Sequence, residues 1–236
     1  MKTLLIDIKK RIYTASGEKE LYIKTTIKEG ITGVFGSSGE GKSTLLNVLA
    51  GLEQAEVGNI VFGNKTWFNS EEKLFIPSQA RKVAYILQTE NLFPHLTVEE
   101  NIRFPLNKEE NKQLDLSLLL EQVDLLGFEE IHPHKLSGGQ KQRVVLARTM
   151  AYKCDLLLLD EPFSALDWEI KQRLLVLIKQ LQKEYKFLVL LVSHDPLTLL
   201  NLCNQVVWLE NHKVSKQVTI SDFKLELINR GYSFME

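Results

Sequence analysis

The stretch that decides the fold is ITGVFGSSGEGKSTLLNVLAGL, residues 31–52. A short apolar run at 31–35 enters a glycine-rich loop, Gly36 to Thr44, and leaves it on KSTLLNVLAGL, which has helical apolar spacing and a stop at Gly51. Strand, glycine loop and helix form the context in which G-x-x-x-x-G-K-[ST] carries meaning. Gly36-Ser37-Ser38-Gly39-Glu40-Gly41-Lys42-Ser43 satisfies that pattern. Glycines let backbone N–H groups converge on phosphates, and the following helix adds the positive end of its dipole. In such a loop Lys42 reaches the β- and γ-phosphates of a nucleoside triphosphate, and the Ser43 hydroxyl binds Mg²⁺. Glu40 is at odds with this, because it sets an anion where an anion binds. Since the grip is made by the backbone, the expectation is that Glu40 faces outward, toward a basic neighbour.

A triphosphate loop needs an acid at the end of a buried strand, and CDLLLLDEP at 154–162 supplies one. Asp160 would organise the metal, and Glu161 would polarise the attacking water. A second anion site is suggested by LSGGQ at 136–140, where Ser137, Gly138 and Gly139 leave backbone donors uncovered at a helix start. One nucleotide rarely needs two such termini from one chain, so dimerisation across the nucleotide is the simplest explanation.

Around these motifs the chain alternates strands with helices, which predicts a parallel sheet wrapped by helices. Leu4, Ile6 and Ile8, then Leu21, Ile23, Thr25 and Ile27, mark two alternating strands at the N-terminal end. Thr97 with Glu100 has the spacing of a capping box, and DLSLLLEQVDLLG predicts a helix ending at Gly127. QVVWLENHKV predicts a hairpin. The last residues, 216–236, predict a short helix on the surface or against a partner.

Composition narrows the function. The chain has 236 residues and a formal net charge of −1, which gives no long-range field for nucleic acid or anionic lipid. Its two cysteines, Cys154 and Cys203, match no zinc spacing and point to a reducing compartment. The apolar run at the N-terminus breaks at Asp7, against a secretory signal. The apolar runs CDLLLLDEP and FLVLLVSHD fall short of the about 20 residues a membrane helix needs and read as fully buried strands. His132 and His134 lie in the loop that enters LSGGQ, and the proline between them and the lack of a nearby cysteine argue against a metal site.

GSSGEGKST, LSGGQ, LLLLDEP, SALD and SHD, in this order, resemble the ATP-binding cassette (ABC) ATPases over roughly residues 1–215. LSGGQ is the most specific of them. The resemblance implies an α/β P-loop NTPase fold: a mixed sheet, an N-terminal antiparallel β subdomain and a helical subdomain carrying the signature. It implies one ABC ATPase domain over 1–236, with a RecA-like core and β subdomain at 1–88 and 153–215. The helical subdomain would take 89–152 and a C-terminal extension 216–236.

The resemblance also implies ATP with Mg²⁺, sandwiched between the P-loop of one subunit and Ser137, Gly138, Gly139 and Gln140 of the other. Gln88 in YILQ would serve Mg²⁺, water and the membrane subunits, and Asp167 would link the two sites across the dimer. His194 would hydrogen-bond the γ-phosphate, and Tyr13 would stack on adenine, with Tyr22 as its competitor. The partners implied are transmembrane permease subunits, a second copy of the ATPase and, indirectly, a solute-binding protein. The place implied is the cytoplasmic face of the cell membrane. NLFPHLTVEENI, residues 91–102, resembles importers, and the span 66–96 resembles the ATPases of molybdate and related oxyanion importers. The alternative is a soluble ABC ATPase acting on nucleic acid or ribosomes, but the long coiled-coil insertion or tandem cassettes usual there are missing.

Overall fold

The computed structural model describes residues 2–14, 17–87, 92–163 and 166–232. Alternating apolar residues build the first hairpin, β1 (Thr3–Thr14) and β2 (Gly17–Lys28), paired antiparallel from Thr3↔Lys28 to Thr14↔Gly17. Leu4, Ile6, Ile8, Leu21 and Ile23 are fully buried on one face, as their period of two requires. β4 (Val57–Phe62), β5 (Lys65–Asn69) and β6 (Leu74–Phe75) extend this antiparallel arm beyond β1.

The other half of the sheet is parallel. β3 (Gly30–Phe35) lies between β10 (Gln205–Glu210) and β9 (Leu188–Val192), followed by β8 (Leu156–Asp160) and β7 (Val83–Ile86). Every residue of β8 and β9 is buried because both faces are covered. Leu156 and Leu158 enter one core with α1 (Lys42–Ala50). Leu157 and Leu159 enter a second core on the other face.

That second core is roofed by helices. Between β7 and β8 lie α2 (Val98–Arg103), α3 (Lys108–Gln113), α4 (Leu116–Gln122) and α5 (Gly138–Ala151). α6 (Trp168–Tyr185) and α7 (Pro196–Leu202) follow β8 and β9. The capping box on α2 is present, with Thr97 and Glu100 satisfying each other's backbone N–H. α4 stops at Gln122, five residues before the expected Gly127. Asp124 takes a left-handed backbone (φ 57°), which turns Leu125 into the core where it is fully buried.

β10 and β11 (Lys213–Thr219) form the expected hairpin. Its two turn residues, Asn211 and His212, both have positive φ (52° and 60°), as in a type I′ turn. The tail expected on the surface or against a partner does form a helix, α8 (Ile220–Asn229), but it packs into the chain's own core. Phe223 and Leu227 are fully buried because Phe223 meets Phe35 and Trp208 edge-on. No helix among the described residues is long and apolar enough to cross a membrane.

Candidate nucleotide site

Parallel strands bring their C-terminal ends to one edge, where open α/β sheets hold their ligands. β3 ends in the glycine loop, β8 in Asp160 and Glu161, and β9 in Ser193 and His194.

Gly41 caps α1 with φ 91°, and a Cβ there would come within 2.8 Å of the Leu21 side chain, so glycine is required on both counts. Lys42 is buried, and its Nζ donates to Gly36 O (2.9 Å) and Ser37 O (2.7 Å), folding back across the loop. Burial pushes its ammonium below the ordinary value, while Glu161, Asp160 and Glu40 oppose that. Ser37, Ser38, Gly39 and Ser43 are exposed and Thr44 is half-buried, so the mouth of the loop faces solvent. Glu40 turns to the tip of the β10–β11 hairpin. The His212 backbone N–H donates to its Oε2 (2.6 Å), and His212 Nδ1 lies 3.7 Å away. The neighbour is therefore first a main-chain donor and only second a basic ring.

Asp160 is 5% exposed, and the Tyr85 hydroxyl stands 3.5 Å from its Oδ2. Glu161 has a left-handed backbone (φ 50°), which swings its carboxylate toward the turn after β9. There it accepts the His194 backbone N–H (2.7 Å), with Ser193 Oγ at 3.4 Å and His194 Nε2 at 3.6 Å. Burial raises the Glu161 carboxyl above the ordinary carboxylate range; Asp160 adds to this, while His194 and Lys42 pull against it. The His194 ring is otherwise exposed. Asp195 beside it caps α7 and is tied to Lys171 on α6 (2.6 Å) and to Thr198 (2.6 Å). Although burial pushes the Asp195 carboxyl up, Lys171 and Thr198 hold it below its ordinary value. The turn carrying His194 is thus braced from α6.

The remaining predicted residues lie apart from this cluster. Ser137 and Gln140 form a capping box at the start of α5, with Ser137 and Gly138 exposed and Gly139 half-buried. No hydrogen bond joins them to the glycine loop among the described residues. Asp167 is exposed and caps α6 by accepting the Ile170 N–H. Tyr13 is 82% exposed at the end of β1, whereas Tyr22 is half-buried under Lys9. Gln88 lies outside the described residues, as do Ser164 and Ala165 of SALD. Sequence reasoning passed over Tyr85, Asn47, Lys171 and Arg81; each acts through a partner distant in sequence, and no motif marks them.

The donor set at the loop suits magnesium, since the Asp160 carboxylate and Ser43 hydroxyl are hard oxygen ligands. No group of three His, Cys, Asp or Glu among the described residues is placed to hold a metal.

The profile of the family described as ABC transporter matches residues 22–164. The molybdenum import ATP-binding protein ModC of Aliivibrio fischeri is 38% identical over 216 residues, covering 90% of this chain and 57% of that protein. The chain therefore spans little more than half the length of that relative. The probable sulfate/thiosulfate import ATP-binding protein CysA of Chlorella vulgaris is 37% identical over 219 residues, 91% of this chain and 89% of that one. A solved dimeric ATP-binding cassette, in a post-hydrolysis state bound to ADP and Pi, superposes with a TM-score of 0.78 at 27% identity. It covers 93% of this chain and 99% of its own.

Proposed function

This chain belongs to the ABC transporter family as its ATPase domain, and from that premise we propose that it binds and hydrolyses ATP to power solute import through permease subunits. The observation that carries the reading is Glu161: a carboxyl raised by burial, held by the His194 N–H, one residue beyond Asp160 and in the field of Lys42. A carboxylate so placed is a stronger proton acceptor for water than an ordinary glutamate.

In this reading the loop Gly36 to Thr44 wraps the phosphates with backbone N–H groups, and Lys42 leaves its carbonyl partners for the β- and γ-phosphates. Ser43 and Asp160 would hold Mg²⁺, which when bound neutralises phosphate charge, and Gln88 is assigned beside them on the family resemblance. Glu161 orients and deprotonates the attacking water, and His194 donates to the γ-phosphate. Phosphoryl transfer rests mostly on positioning and charge stabilisation, so one base among many donors suffices. Tyr13, with its ring free in solvent, stacks on adenine. Ser137, Gly138, Gly139 and Gln140 of a second copy close over the nucleotide, with Asp167 linking the two sites. Because ModC and CysA relatives are named for molybdenum and for sulfate/thiosulfate import, an oxyanion is the solute, with molybdate the first candidate. The chain works on the cytoplasmic face of the membrane, bound to its permease.

The test is Glu161→Gln. It should bind ATP like the wild type and hydrolyse it at least about a hundredfold more slowly, forming an ATP-dependent dimer by light scattering; near-normal turnover overturns the assignment of the base. Recovery of a multi-span permease on affinity purification from membranes, with ATPase activity stimulated by it, supports import. Stimulation by DNA or ribosomes instead rejects it.

A further inference from the structure

A buried carboxylate needs hydrogen-bond donors. Among the described residues the Tyr85 hydroxyl is the one donor that reaches Asp160, at 3.5 Å from Oδ2. Tyr85 stands on β7, opposite Leu158 of β8, so its ring lies beside the strand that ends in Asp160. Its hydroxyl also meets Asn47 Oδ1 on α1 (3.1 Å), and Asn47 Nδ2 donates onward to Glu53 (2.8 Å). Asn47 must therefore present its oxygen to the phenol, and two acceptors share a single hydroxyl hydrogen. A tyrosine hydroxyl carries one hydrogen that it can donate.

We propose that Tyr85 is a positioning residue for the metal: its hydroxyl engages Oδ2 of Asp160, fixes the carboxylate's orientation and leaves the other oxygen for the metal shell. The inference rests on the proposed assignment of Asp160 to Mg²⁺. Partners one step behind a metal ligand commonly set its affinity by orienting it. Asn47 lies on α1, the helix that carries the glycine loop, and competes with Asp160 for the phenol's single hydrogen.

The experiment uses the full chain and Mn²⁺ as the probe. Mn²⁺ binding to the complex with a non-hydrolysable ATP analogue is followed by electron paramagnetic resonance. Analogue binding in EDTA and thermal melting are measured alongside. In Tyr85→Phe the Mn²⁺ dissociation constant should rise about tenfold, with analogue binding in EDTA and the melting temperature unchanged. Asn47→Ala, which leaves the phenol free to donate to Asp160, should retain Mn²⁺ affinity. Unchanged Mn²⁺ affinity in Tyr85→Phe overturns the proposal. So does a parallel loss of metal-free nucleotide binding and melting temperature, or an equal loss of Mn²⁺ affinity in Asn47→Ala. Asp160→Asn separates the two claims: wild-type Mn²⁺ affinity there rejects Asp160 as the metal acid, whatever Tyr85 does.

Discussion

At Glu40 a carboxylate occupies the middle of a loop whose chemistry is made of backbone N–H groups. The structure resolves the conflict by giving that anion its own donor, the His212 N–H at the hairpin tip. Glu40→Ser should therefore change ATP affinity by less than about tenfold, measured by titration of a fluorescent analogue. It should lower stability to urea by about 2 kcal/mol, the loss of a hydrogen bond to a charged group. A rise in affinity by orders of magnitude would place the carboxylate on the phosphates instead. Glu161 makes a second prediction at this scale. Its carboxyl lies above the ordinary range, so as pH falls through that raised value it takes up a proton and can no longer accept one from water. The acid limb of kcat should then lie above the pH at which a free glutamate, near about 4.3, titrates; a limb at the ordinary position argues against Glu161 as the base. The positions of both acids are spelled out in sequence, whereas their partners are not. Glu40 and His212 are separated by 172 positions, and Tyr85 and Asp160 by 75.

α1 carries the phosphate loop at one end, and its other end raises a problem that pattern alone does not reveal. Its last turn has no basic residue, yet its Val48 and Leu49 carbonyls are buried. Arg81 answers this: its guanidinium donates to Val48 O and Leu49 O (2.8 Å each) and to Ile76 O (2.8 Å), against the rings of Trp67 and Phe75. Burial lowers it to about 10, which leaves it charged at neutral pH. Gly51 is shaped by the same contact, since a Cβ there would sit 2.8 Å from Ser78 N and 3.0 Å from Arg81 Nε. Arg81→Met should cost about 3 kcal/mol in urea unfolding, because several buried carbonyls lose their donor together. Arg81→Lys should recover little, since a point ammonium cannot span the fork. In the sequence nothing marks Arg81, because its carbonyl partners on α1 lie 33 and 32 positions away. The capping box at Thr97, by contrast, was legible because both its partners lie within one turn.

Across the whole molecule, the terminal helix shows how far burial overrides sequence order. Phe223 joins Phe35 and Trp208 in one aromatic cluster, so the strand that enters the glycine loop is packed against residues from the far end of the chain. Phe223→Ala should destabilise the protein by about 3–5 kcal/mol, read from the midpoint of urea unfolding. Removal of 220–236 should yield aggregation-prone protein rather than a trimmed, active cassette, as judged by size-exclusion chromatography. Motifs of contiguous residues, the glycine loop, LSGGQ, the leucine run into Asp160 and the alternating β1 and β2, were determined by sequence alone, because their chemistry is local: backbone donors, a strand end, a period of two. The tertiary structure decided the rest, namely where Glu40 turns, what donates to Asp160, what caps α1 and that α8 belongs to the core. Those outcomes depend on desolvation. A buried carboxylate, carbonyl or ring must find a partner, and which partner is near is set by how the strands cross rather than by their order in the chain.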